Sequence, residues 1–214
     1  SRGGMTHGGI PPWVMPPLDY SAGGAIVGMA SGDVTLQQRL NGLREGALYP
    51  FLRETAVFNC PGDNRKNLGT SLGNTPAHQI YRSYSLPDYL RGTAPSDPKK
   101  LFTFKDQANK MLFVEEIYDG SAGNYNHDGW SYIPYDGSLW DPLGIFHSDA
   151  CTFSFMDGHA ERKKWEDKRT IIYCRSRTEA AALGFGKGQI FNPPNPDLEW
   201  LDARYPGKTH LGSL

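Results

Sequence analysis

Phe146-His147-Ser148-Asp149-Ala150-Cys151-Thr152-Phe153-Ser154-Phe155-Met156-Asp157-Gly158-His159 is the stretch on which the fold turns. Thr152 to Phe155 alternate polar and apolar, the period-two pattern of a half-buried strand. Asp157-Gly158 then reads as a two-residue type I′ turn with positive φ at both central positions. The return strand is Ala160-Glu161-Arg162-Lys163-Lys164-Trp165. On the outgoing strand Cys151, Phe153, Phe155 and Asp157 share a face. His147, Asp149, Asp157 and His159 also resemble a metal or catalytic set. Ten residues of extended chain separate His147 from Asp157 by roughly 30 Å, however, which puts them at opposite ends of one strand. The hairpin reading therefore gives Asp157 to the turn and His147 to a backbone hydrogen bond where the strand begins.

Outward from this hairpin the chain is rich in turns. Its 214 residues include 25 Gly and 16 Pro, aromatics make up 12%, and the net charge is −1. The length suits one domain, 1–214, with an irregular N-terminal arm (1–32) and a C-terminal coil (185–214). The near-zero charge and short basic runs argue against a nucleic-acid surface. No apolar run is long enough to span a bilayer. Cys60, Cys151 and Cys174 match no zinc spacing; a Cys151–Cys174 bridge and three buried thiols both fit their positions.

Leu36, Leu40, Leu43, Leu48 and Leu52 recur at helical spacing, and Gly42, Gly46 and Pro50 divide them into two short helices. Thr35 or Asp33 is the expected cap. Val57-Phe58-Asn59-Cys60-Pro61 reads as extended, closed by a turn at 61–64, and Tyr81 to Leu86 as a strand. Lys110 to Glu116 reads as a buried strand, Arg169 to Cys174 as a strand or short helix, and Thr178 to Leu183 and Pro196 to Leu201 as brief helices. Residues 118–145 form a long loop, a length that is usually functional or structurally anchored.

No Gly-x-Ser-x-Gly elbow or Cys–His context is present, and adjacent Glu115 and Glu116 point to opposite faces of a strand, unlike a glycosidase pair. The chain reads as a non-enzyme. Asp119, Asn124, Asn126 and Asp128, with Glu116 before them, offer hard oxygen ligands suited to calcium. Tyr125, Trp130, Tyr132, Tyr135 and Trp140 in the same loop suit either sugar stacking or a small aromatic core. Carbohydrate is thus an alternative ligand, in a secreted surface-binding module using 118–145.

An ordered series of landmarks adds a resemblance. It comprises Leu48-Tyr49-Pro50-Phe51-Leu52, Cys60-Pro61-Gly62-Asp63, Arg82-Ser83-Tyr84-Ser85, Met111 to Glu116, and His147 to Asp157-Gly158-His159. The series resembles bacterial pilin-like proteins that carry a prepilin-type N-terminus and a C-terminal His-x9-Asp-Gly motif. The resemblance implies an α+β pilin-like fold: an antiparallel sheet, short helices and long Gly/Pro-rich loops, here without the family's N-terminal spine helix. It makes Cys60, Asp63, His147, Asp157, Gly158 and His159 structural motif residues. It also implies a subunit of a type IV pilus or type II secretion pseudopilus at the cell envelope or outside the cell. The expected partners are further copies or other pilin-like subunits, membrane contact would come through the missing helix, and calcium near the sheet is part of the family picture.

Overall fold

The computed structural model describes residues 12–30, 34–64, 81–90, 104–117, 129–133, 138–185 and 194–207. The described residues fall into two compact units, one formed by 12–30, 34–64 and 81–83, the other by the remainder.

In the first unit, β1 (Leu18–Tyr20) and β2 (Ile26–Met29) form an antiparallel ribbon where the sequence predicts an irregular arm. A turn at 22–24, with Gly24 at φ 78, joins the strands, and Ser21 N–H donates to Ala25 O at 2.9 Å. Helix α1 (Leu36–Glu45) starts at Thr35, whose side chain accepts from Gln38 N–H while Gln38 Oε1 accepts from Thr35 N–H at 2.6 Å, a reciprocal cap. Helix α2 (Tyr49–Leu52) follows.

Gly42 sits inside α1 rather than dividing it. A Cβ there would lie 2.4 Å from Pro16 O, and one at Gly46 would lie 2.4 Å from Trp13 O. The glycines let residues 13–16 lie on the helix at backbone distance, and Met15 N–H reaches Gly42 O at 3.1 Å. Trp13, Val14, Leu18, Leu43 and Phe58 are buried in this unit. Thr55–Phe58 is a 3-10 turn and not extended, because the Glu54 carboxylate caps it, accepting from Ala56 N–H at 3.0 Å.

The second unit contains six strands among the described residues: β3 (Tyr84–Ser85), β4 (Met111–Glu115), β5 (Tyr132–Ile133), β6 (Ser138–Leu139), β7 (Ala150–Phe155) and β8 (Ala160–Lys164). Four of them form an antiparallel sheet of order β3-β4-β7-β8, so the α+β class agrees with the sequence reading. β3 is shorter than the Tyr81–Leu86 strand expected. β5 and β6 pair with each other within the stretch read as a loop. Arg169–Cys174 lies in helix α3 (Lys168–Arg175), started by Asp167 accepting from Arg169 N–H at 2.8 Å. Helices α4 (Arg177–Ala182) and α5 (Pro196–Arg204) complete the unit.

Alternation on β7 buries Cys151, Phe153 and Phe155, and Phe153 meets Trp165 and Trp200 edge-on or tilted. Asp197 at the start of α5 accepts from Glu166 N–H (3.0 Å) and Asp167 N–H (2.9 Å), and Asn195 pairs with Thr170 at 3.0 Å. These bonds stitch the beginnings of α3 and α5 together. Cys151 and Cys174 are free buried thiols. Burial pushes the Cys174 thiol up to about 12 and raises that of Cys151 as well, so neither carries the thiolate that reactivity needs.

Candidate functional site

Glu115, the last residue of β4, is the centre of the motif. Its side chain is 1% exposed. Oε1 accepts from His147 Nε2 at 2.9 Å and Oε2 accepts from Thr152 N–H at 2.7 Å. Its backbone carbonyl takes Gly144 N–H at 2.7 Å and the Cys151 thiol at 3.4 Å. Where the sequence reading expects a backbone partner, the structure gives His147 a carboxylate partner. A buried carboxylate needs donors for its oxygens, and a half-exposed imidazole supplies one without itself being fully desolvated. The chain leaves His147 through two left-handed residues, Ser148 (φ 58) and Asp149 (φ 57). Asp149 O then accepts from Trp165 N–H at 2.9 Å and its carboxylate meets Arg175 at 3.3 Å, which holds the unusual backbone in place.

Asp157, Gly158 and His159 stand at the other end of β7. Phe155 N–H donates to His159 O (2.9 Å) and Gly158 N–H to Phe155 O (3.0 Å), which closes a three-residue loop over 156–158. Gly158 has φ 98, whereas Asp157 is not among the positive-φ residues. The turn is therefore the three-residue kind ending in a left-handed glycine, not the two-residue I′ turn expected. The Asp157 carboxylate accepts from His159 N–H at 3.1 Å and pairs with His159 Nδ1 at 2.6 Å, while the imidazole lies flat on Phe155 with centroids 4.4 Å apart. The bonds between Asp157 and His159 hold the carboxyl below its usual range and the imidazole above its own.

In the first unit, the Cys60 turn and Ser83 form a second motif cluster. Ser83 Oγ donates to Asp63 at 2.6 Å and accepts from Cys60 N–H (3.0 Å) and Asn59 Nδ2 (3.1 Å). Ser83, Asp63 and Cys60 are all buried.

Of the calcium set, Asp119, Asn124, Asn126 and Asp128 lie outside the described residues. Glu116 is buried and accepts a hydrogen bond from Ser85 Oγ. Near it stands Asp141, which accepts Ser131 N–H at 2.8 Å, while Asp88 accepts from Ser131 Oγ at 2.5 Å. Burial first and the Glu116 charge second push the Asp141 carboxyl up to about 8. Asp141 therefore keeps its proton at neutral pH. In the unfolded chain it ionises near its ordinary value of 3.8, so its contribution is full below about pH 4 and is lost as pH rises toward 8. Asp141→Asn is expected to remove a slope of up to about 1.4 kcal/mol per pH unit across that window while keeping the acceptor for Ser131. Urea unfolding at a series of pH values measures this; equal slopes in variant and wild type refute it.

The aromatic ring set divides. Trp130 and Tyr132 are buried and stacked at 5.2 Å, with Trp130 Nε1 donating to Asp141 O at 2.9 Å. Trp140 is exposed, and Tyr125 and Tyr135 lie outside the described residues. Two of the five rings thus serve the core.

Compared with protein-family models, with curated proteins and with solved structures, the chain finds no match.

Sequence reasoning missed Glu115 as the partner of His147, and missed Asp141 altogether. The signal for Glu115 was an acid closing an otherwise apolar run; for Asp141 none stood out among the loop's polar residues.

Proposed function

We propose that this chain is the ectodomain of a structural subunit of a pilus- or pseudopilus-type filament, working at the cell envelope or outside the cell and not as an enzyme. The observation that carries the reading is the way the landmark residues are used. His147 is bonded to Glu115, Asp157 to the hairpin turn and His159, and Asp63 to Ser83, whose hydroxyl also accepts from the Cys60 backbone N–H. These imidazole and carboxylate groups are engaged in holding strands and turns, as expected of a frame that presents surfaces. Calcium remains part of the proposal, through Glu116 and the acids of 119–128; an ion there would replace the proton on Asp141 as the means of offsetting repulsion.

The distribution of apolar exposure also supports a subunit role. Among the described residues the first unit exposes seven large apolar side chains, among them Phe51 at 83% and Val27 at 67%, against two in the second. Exposed apolar side chains mark an interaction site where they adjoin in one patch. The sugar-binding alternative is less well supported, because Trp130 and Tyr132 are buried.

The test is to express the gene's full product in its native host and search sheared surface fractions and the envelope by immunogold electron microscopy. Labelled fibres are expected. Protein confined to the cytosol as a monomer defeats the reading.

A further inference from the structure

Helix α1 buries an arginine more deeply than two of its leucines. Arg39 is 7% exposed, whereas Leu36 is 37% exposed and Leu40 half-buried. The Tyr81 ring lies against its guanidinium, with Cζ 5.6 Å from the ring centroid. Its Nε–H is buried and has no hydrogen-bond partner among the described residues. Asn41, buried on the same helix, is satisfied by contrast: its amide donates to Leu18 O at 3.2 Å and its carbonyl accepts from Gln37 Nε2 at 2.8 Å. The described acids of the first unit are Asp19, Glu45, Glu54 and Asp63, and each is engaged elsewhere. They accept from Gln38 Nε2 (2.5 Å), Tyr20 Oη (2.7 Å), Ala56 N–H (3.0 Å) and Ser83 Oγ (2.6 Å) in turn. Arginine cannot shed its charge, so burial without a bonded anion opposes folding. A leucine or methionine would pack there without that penalty.

We propose that Arg39 is the seat of a carboxylate-binding site, filled by a carboxylate from outside the chain. The guanidinium fork offers parallel N–H donors whose spacing matches the two oxygens of that group. Tyr81 occupies one face of the guanidinium, so the anion is taken at its edge, which suits a planar group. The charge to be offset is a single positive one. A carboxylate monoanion neutralises it, whereas a phosphate dianion would leave a buried negative charge in excess. Nε is closed from solvent, so entry needs a small local opening. A free organic acid and an acidic side chain of a peptide present the same group, and the site accepts either on this chemistry. The inference is independent of the filament reading.

Nitrogen-15 spectra of the arginine side chains of the full 214-residue chain test it. The Arg39 Nε–H signal is the one missing from Arg39→Lys or Arg39→Met. Sodium acetate, exchanged for sodium chloride at constant ionic strength, is expected to move that signal in a saturable way, and phosphate at pH 8 to move it less. N-acetylglutamate amide carries the carboxylate on a side chain: tighter binding than acetate assigns the site to a peptide, weaker binding to a small free acid. Acetate at ten times its half-saturation is expected to raise the Tm of the wild type by about 3 °C and to leave that of Arg39→Met unchanged. In chloride alone Arg39→Met is expected to be at least as stable as the wild type. Three results overturn the inference: a signal that acetate does not move, a signal that chloride moves as far, or a rise in Tm that Arg39→Met shares. The first of these covers the case in which a carboxylate of the chain itself already holds Arg39 in solution. The titration is read on the wild-type chain, so it decides the matter even where one of the two variants fails to fold.

Discussion

Glu115→Ala is expected to lower the stability of the sheet-bearing unit by about 3–5 kcal/mol, the largest effect of any single change in the motif. The carboxylate is almost wholly buried, and its removal strands two donors, His147 Nε2–H and Thr152 N–H, and leaves a cavity beside Cys151. His147→Ala is expected to cost less, about 1–3 kcal/mol, since it leaves one carboxylate oxygen without its donor but keeps the bond from Thr152. Glu115→Gln separates charge from geometry. Its carbonyl still accepts from Thr152, and its NH₂ donates to His147 Nε2 once the imidazole takes the other tautomer, so it is expected to be milder than alanine. Urea unfolding of the two single variants and the double variant gives the coupling between Glu115 and His147 directly. A coupling indistinguishable from zero would mean that the His-x9-Asp-Gly histidine does not act through Glu115, and the structural reading of the motif would fail with it.

The second large effect is expected at Asp197. Asp197→Ala is expected to cost about 3 kcal/mol, because the buried carboxylate takes the two backbone donors that begin α3 and lies 3.4 Å from Lys163 Nζ. Lys163 keeps Glu166 at 2.5 Å, so the loss falls on the backbone donors more than on the ion pair. Asp197→Asn retains one acceptor and is expected to fall between alanine and wild type. Amide hydrogen exchange locates the effect: residues 166–171 are expected to lose protection in Asp197→Ala before β4 and β7 do. Uniform loss across the sheet would show instead that α3 and α5 unfold only with the whole unit.

Elements written in neighbouring residues were legible in the sequence. The β7–β8 hairpin carries its alternation and its turn glycine within residues 150–164, and the Thr35 cap with Gln38 is likewise local. The turn type was not, because whether Asp157-Gly158 makes two or three loop residues depends on the His159 carbonyl reaching Phe155 N–H. The β1–β2 ribbon was hidden by the prolines and glycines around it, although Ile26-Val27 after Gly24 was a strand signal of ordinary strength. Thr55–Phe58 misled because β-branched Val57 favours a strand, while the deciding group, the Glu54 carboxylate, acts through one hydrogen bond. The motif's landmarks were visible one by one. Their joining was not, since Glu115 and His147 are 32 residues apart and only the folded sheet brings them together.

That separation bears on how such a chain can diversify. The Glu115–His147 bond closes a 32-residue excursion at both ends, and the Glu116–Leu143 bridge closes it again just inside. Loop-closure entropy grows only logarithmically, so doubling the excursion costs about 0.6 kcal/mol, less than a typical hydrogen bond to a charged group. Descendants of this sequence can change the length of the stretch between the clamps at little cost, provided that Trp130, Tyr132 and Leu139, which are buried in the core, keep their places.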